Sequence, residues 1–240
     1  MLKIETKGGD LLKKKLSDLE RRQLPFALAL AQTRTAKLVE AAEIEEMARV
    51  FDRPTRFTLN SIFVRPAKKG GHGAVVWVKD YASKADAPIR WLLPEVDGGE
   101  RHAKRSEKLL GARGILSSGR FLMPGGGMTL DSHGNISRGV MQKVLSGLGA
   151  QGDKYANSTD SRRSRGNSKR FFVLGKGSKA VGIAQRTSKD SAGLQIMLAF
   201  AARPTYKHRL DFYGVADRVV RDSLPEQVRQ SLAEAVRKAK

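Results

Sequence analysis

Histidine ordinarily titrates closest to neutral pH, so His72, His102, His133 and His208 are the first candidates for proton transfer or metal binding. They are scattered without metal-ligand spacing, no HExxH occurs, and there is no cysteine to complete a zinc site. Asp131 and His133 stand two apart in a turn, but an Asx turn accounts for Asp131 equally well. Glu95 and Asp97 form the close acidic pair beside the glycine-rich region. A hydrolase would need such carboxylates facing each other in a cleft; on a local turn they read as surface charges. Glycine clusters at 70–73 and 125–127 have neither the GxxxxGK[ST] nor the GxGxxG pattern of a phosphate cradle. Gly175-Lys176-Gly177-Ser178-Lys179 looks like the end of a P-loop, yet strand residues follow where a helix should start. The expectation is a chain with no catalytic residue, no cofactor and no metal.

Binding is the better prospect, because the chain carries 45 Lys and Arg against 24 Asp and Glu, a formal net charge of +21. Such a surface attracts polyanions. The excess is uneven: Arg101 to Asp190 holds 18 basic and five acidic residues, 18 − 5 = +13. Arg101, Lys104, Arg105, Arg162, Arg163, Arg165, Lys169, Arg170, Lys176 and Lys179 are the candidate polyanion contacts. Aromatics make up only 6% of residues, the basic loop has no interleaved Tyr or Trp for base stacking, and Phe171 and Phe172 after it fit a buried strand better. No helix-turn-helix or zinc-finger spacing appears. Any nucleic-acid contact is therefore expected to be electrostatic and indifferent to sequence.

The elements that would position these residues read as follows. Leu11, Leu12, Leu16 and Leu19 space an amphipathic helix over 11–23. Pro25 opens a longer helix with Leu28, Ala31, Thr35, Leu38 and Ala42 along one face. Residues 57–64 and 74–79 read as a strand pair whose basic connection holds Lys68 and Lys69, a candidate arm for a neighbouring subunit. Trp77, Tyr206, Phe212 and Tyr213 join those lysines as candidate subunit contacts. Short helices over 84–150 include a basic one from Arg101 to Leu110 and one from Ser137 to Leu148, while Phe121 to Gly127 reads as irregular. Residues 151–169 read as an exposed, disordered loop.

Strands are expected at Phe171–Leu174, Val181–Arg186 and Leu194–Ala201. Pro204 opens a helix to about Asp222, and Ser223-Leu224-Pro225-Glu226 caps another. The resulting fold class is α+β: N-terminal helices, an antiparallel sheet with a hairpin arm, and C-terminal helices packed on the sheet. Residues 1–240 form one domain in this reading, with a glycine-rich and basic insertion at about 84–170. No apolar run approaches membrane-spanning length and no signal sequence is evident, so a soluble protein without membrane contact is expected.

Two stretches carry a family resemblance. One is Pro94-Glu95-Val96-Asp97-Gly98-Gly99-Glu100-Arg101-His102-Ala103-Lys104-Arg105. The other runs from Gly182-Ile183-Ala184-Gln185-Arg186 through an apolar strand to Arg203-Pro204-Thr205-Tyr206 and the block Tyr206-Lys207-His208-Arg209-Leu210-Asp211-Phe212-Tyr213. Together they resemble the tail-completion and neck proteins of tailed bacteriophages, in particular the minor tail protein Z family. The glycine-rich centre departs from that family. The resemblance implies a virion protein assembled in the host cytoplasm, acting in a homo-oligomeric ring at the head–tail junction or upper tail. Its implied partners are portal, adaptor or tail-tube proteins and packaged DNA, bound without sequence specificity. The alternative is a sequence-independent nucleic-acid-binding packaging or assembly factor.

Overall fold

Proline's fixed φ suits the first turn of a helix, and Pro25 sits there in α1, Leu24–Val50. A computed structural model describes residues 23–238 apart from Lys84, Asp160, Arg163 and 189–192. The helix expected over 11–23 thus lies almost wholly outside the described residues. The chain divides into two compact units, one made of its two ends (up to Asp80 and from Leu210) and one spanning Tyr81–Arg209. The expected single domain with an insertion at 84–170 is corrected accordingly. The strands after Leu174 pair with Phe121–Pro124 of the central segment and close that segment into a unit of its own.

In the first unit, α1 packs against α7, Phe212–Lys238, and against a two-stranded antiparallel sheet of β1, Ile62–Arg65, and β2, Val75–Val78. The two long helices run antiparallel: Arg34 meets Glu234 at 2.9 Å toward one end, and Glu43 feels the charges of Asp211 and Arg218 toward the other. The buried residues Ala27, Ala31, Thr35, Val39, Glu43 and Met47 step by four along α1. The small side chains among them let neighbouring elements approach closely. Leu28 and Leu38, expected in that stripe, are exposed instead. The strand expected from residue 57 begins only at Ile62. Thr55 accepts a hydrogen bond from the Thr58 N–H at 3.1 Å and caps a short helix α2, Arg56–Leu59. At the other end, the break expected at 223–226 is absent and α7 runs through Pro225. Pro225 lies on the exposed side of the helix, where water can satisfy the carbonyl its missing N–H leaves free.

The second unit is built on a four-stranded antiparallel sheet in the order β4-β7-β6-β5. Its strands are β4 (Phe121–Pro124), β5 (Phe171–Leu174), β6 (Gly182–Arg186) and β7 (Leu194–Ala201). β4 falls where irregular chain was expected, because Leu122 and Met123 pair with Phe200 and Ala199; its proline is tolerated on an edge strand. Helices α4 (Arg105–Ala112) and α5 (Arg138–Gly147) supply Leu110, Val144 and Leu145, which join Leu122, Phe171, Ile183, Leu198 and Phe200 in the core. A bulge between Ile183 and Ala184 lets Met197 and Leu198 both enter it. α5 starts as expected, with Ser137 accepting from the Val140 N–H at 3.2 Å. Within 151–169, expected to be disordered, a 3-10 turn Lys154–Ala156 and helix α6, Arg165–Arg170, are formed. Gly147 allows this: a Cβ there would lie 2.6 Å from the Asn167 carbonyl oxygen of α6. A helix α3, Ile89–Asp97, and a two-residue pairing of β3, Gly99–Glu100, with β8, Thr205–Tyr206, complete the unit. Pro204 therefore leads into extended chain and not into the expected helix.

Glu43 is the anomaly of the first unit. It is fully buried and neither carboxylate oxygen has a hydrogen-bond partner among the described residues. Burial, then the negative charges of Glu46 and Asp211, push its pKa up to about 8, with Arg218 opposing. The native state thus holds a proton that the unfolded chain releases near pH 4.5. Between those values the unfolded state binds fewer protons, so stability falls as pH rises, by roughly 1 kcal/mol per pH unit. The thermal midpoint is expected to drop from pH 5 to pH 8, and Glu43→Leu to raise it and flatten the profile. Thermal denaturation followed by circular dichroism across that range checks both; a flat wild-type profile would contradict the assignment.

Candidate functional site

Glycine at two successive positions with φ of 77° and 101° turns the chain out of α3 at Gly98 and Gly99. Side-chain-bearing residues rarely adopt either angle, so the Gly-Gly pair is dictated by the turn. The turn delivers β3 onto β8, with Gly99 opposite Tyr206 and Glu100 opposite Thr205. Glu100 also forms an ion pair with Arg203. Two further links fasten the joint: the His208 ring nitrogen Nδ1 bonds the Val96 carbonyl oxygen, and the Arg209 N–H donates to the Glu95 carbonyl oxygen at 2.8 Å. The two sequence stretches singled out above, 105 residues apart at the paired Glu100 and Thr205 (205 − 100 = 105), therefore meet in one place.

Directly after β3 the chain enters a buried ion pair. Arg101 donates from Nη2 to Glu107 Oε1 at 2.6 Å and from Nη1 to Oε2 at 2.8 Å. Glu107 also accepts the backbone N–H of Lys104 at 2.7 Å and of Leu122 at 2.9 Å. The guanidinium lies 4.8 Å from the Phe121 ring centroid, bonds the His102 carbonyl oxygen at 3.1 Å and interacts with Tyr206. Burial alone would push the Glu107 carboxyl up. The Arg101 hydrogen bonds and the two backbone donors outweigh it and hold the carboxyl below the usual range. Arg101, expected as a polyanion contact, is corrected: it is buried and fully engaged by Glu107. Tyr206, expected to touch another subunit, is half-buried within this joint as part of β8.

The other basic candidates are distributed differently. Lys104 and Arg105 are exposed at the start of α4. Arg162, Arg165, Lys169 and Arg170 are exposed on or just before α6, and Lys176 and Lys179 on the turn after β5, whereas Arg163 lies outside the described residues. Arg186 at the end of β6 is exposed among them and was not singled out from sequence, although its place in the Gln185-Arg186 strand end was visible. The guanidinium of Arg170 lies 5.6 Å from the Phe171 ring and that of Arg186 lies 5.7 Å from the Phe172 ring. Phe171 is itself a core residue.

Among the subunit-contact candidates of the first unit, Lys68 and Lys69 are exposed on the β1–β2 connection. Trp77 is half-buried, 4.6 Å from Phe63 by ring centroids and 5.9 Å from the Arg65 guanidinium. Phe212 is half-buried edge-on to Tyr213, which is 63% exposed. Leu24, Phe26 and Leu28 are also exposed at the start of α1, Leu24 and Leu28 one turn apart and Phe26, 55% exposed, on the opposite side of the helix. Leu24 and Phe26 were not singled out, and Leu28 was assigned to the packed stripe, because a helix pattern alone does not say which face is packed.

No group of His, Asp and Glu able to hold a metal ion occurs among the described residues. Glu95 and Asp97 do not converge: Glu95 is half-buried on α3 and Asp97 is exposed. Asp131 accepts the His133 and Asn135 N–H groups at 2.9 and 2.8 Å, the Asx-turn geometry. No described helix is long and apolar enough to cross a membrane. Compared with family models, curated proteins and solved structures, the chain matches none of them.

Removing one partner of a buried ion pair strands the other charge, which typically costs about 3–5 kcal/mol. Arg101→Met is therefore expected to destabilise the second unit strongly, and adding Glu107→Leu to recover part of the loss. The recovery stays incomplete because the Lys104 and Leu122 N–H groups lose their acceptor. Because the Glu107 pKa is depressed on folding, its contribution is present above pH 4.5 and fades as pH falls through the folded value. Chemical denaturation of the two variants, at pH 7 and at pH 4, measures both effects; a double variant no more stable than Arg101→Met would refute the stranded-charge account.

Proposed function

We propose that this chain is a structural subunit of a tailed bacteriophage, completing the tail at the head–tail junction or in the upper tail. It acts there by binding, without catalysing a reaction. The observation that carries this reading is the β3–β8 joint. The two stretches that resemble the tail-completion family pack against each other, as expected if they were kept together for one structural purpose. The Gly-Gly turn, the buried Arg101–Glu107 pair and Tyr206 all belong to that joint. The exposed Leu24 and Leu28, one turn apart on α1, suit packing between copies in a homo-oligomeric ring, since water-exposed apolar side chains gain from being covered. Portal, adaptor or tail-tube proteins are the other partners in this reading.

A second reading, a sequence-independent nucleic-acid-binding assembly factor absent from the finished particle, is favoured by the exposed basic side chains around β5. The two readings part on location. Mass spectrometry of purified virions, with a cryo-electron reconstruction of the same particles, is expected to find the chain as a ring between head and tail. Its absence from virions would overturn the first reading in favour of the second.

A further inference from the structure

From Arg162 to Arg186 the sequence contains no Asp or Glu, and the structure folds this acid-free stretch around one edge strand. Lys169 and Arg170 stand at the entry to β5, Lys176 and Lys179 at its exit, and Arg186 ends the neighbouring β6 beside the entry, since Gln185 pairs with Phe171. All five are exposed, and none forms an ion pair with another described residue. We infer that this rim binds the phosphodiester backbone of duplex DNA without reading its sequence. The inference deepens the ring-subunit reading and rests on it for where in the particle DNA would be met.

Three observations favour a DNA backbone. First, a four-residue strand rises roughly 13 Å, so the cations form two groups that far apart. Duplex DNA presents about eight phosphate charges over that axial length. Second, Arg170 and Arg186 lie over the Phe171 and Phe172 rings. A stacked guanidinium loses less freedom on meeting a phosphate and keeps its planar donor fork. Third, the same arrangement places both rings beneath guanidinium groups, with Phe171 buried in the core. They are poorly placed to stack on unpaired bases, which argues for phosphate contact over single-strand recognition.

The test is the salt dependence of binding to a fluorescent duplex by the full chain. Each phosphate contact contributes about −0.9 to the slope of log K against log salt. The variant Lys169→Gln/Arg170→Gln/Lys176→Gln/Lys179→Gln is expected to flatten the slope by roughly 2 to 4. A control of equal charge change, Lys37→Gln/Arg221→Gln/Arg237→Gln/Lys238→Gln, is expected to leave it nearly unchanged. Lys176→Glu/Lys179→Glu, confined to the exposed turn, should also flatten the slope and covers the case in which the fourfold variant folds poorly. Two duplexes of unrelated sequence should bind equally. The inference is overturned by any of four results: no duplex binding at 50 mM salt, an unchanged slope in the rim variants, an equal loss in the control, or rim variants that lose only binding to phosphatidylserine vesicles. Location separates the two readings. A chain that binds DNA through the rim yet is missing from virions keeps this inference and removes the ring subunit. A virion ring with an unaltered slope does the reverse.

Discussion

A single buried carboxylate organises the glycine-rich end of the second unit. Glu107 collects two hydrogen bonds from Arg101 and one each from the Lys104 and Leu122 N–H groups, so it ties α4 to β4 and to the chain leaving β3. Such a pair gains its value from completeness, because every bond it lacks would leave an uncompensated charge in a poorly polarisable setting. Phe121 closes one side of Arg101 and, at 5.6 Å, also faces Arg203, whose partner is Glu100 on β3. The Gly98–Gly99 turn, the β3–β8 pairing and the position of Tyr206 all follow from where this pair holds the chain.

Glu43 shows what the same side chain does without such partners. It occupies a position on the four-residue stripe of α1 that its neighbours Val39 and Met47 fill with apolar groups. With no hydrogen-bond partner among the described residues, it is more stable as the neutral acid, which explains its raised pKa. The two buried glutamates therefore move in opposite directions: Glu107 stays ionised because donors surround it, and Glu43 stays protonated because they do not. Neither fate can be read from residue type.

That contrast also marks where the sequence was legible. β5, β6 and β7 announced themselves through runs of apolar and β-branched residues, and α5 through Ser137 before it and Gly149 after it. These are local signals, and local signals suffice where nothing competes with them. They failed where a partner distant in sequence decides. β4 is a strand because β7 lies beside it, and α6 is seated because Gly147 leaves room. Leu28 and Leu38 matched the period of a core stripe, but small residues one position away took the packed face. At the candidate site the same rule held. The exposed cations around β5 were visible as composition, whereas Arg101, chemically identical, was withdrawn from the surface by a glutamate six residues later.

The surface that remains divides by chemistry. The first unit pairs several of its charges internally, Arg34 with Glu234, Arg49 with Glu46, Arg218 with Asp211 and Arg229 with Glu226, and its α1 exposes Leu24, Leu28 and Leu38 beside the charged Lys37 and Glu45. The second unit buries an arginine with its acid and leaves the cations at the rim of β5 without an ion pair among the described residues. Exposed ion pairs contribute little to stability, so the pairing in the first unit matters more for what it removes from the surface field. Both units keep an excess of basic over acidic residues, the second the larger one, so copies of the second repel each other most strongly until a polyanion intervenes. Wherever copies of the second unit came close, an anionic counterpart would therefore lower the repulsion most.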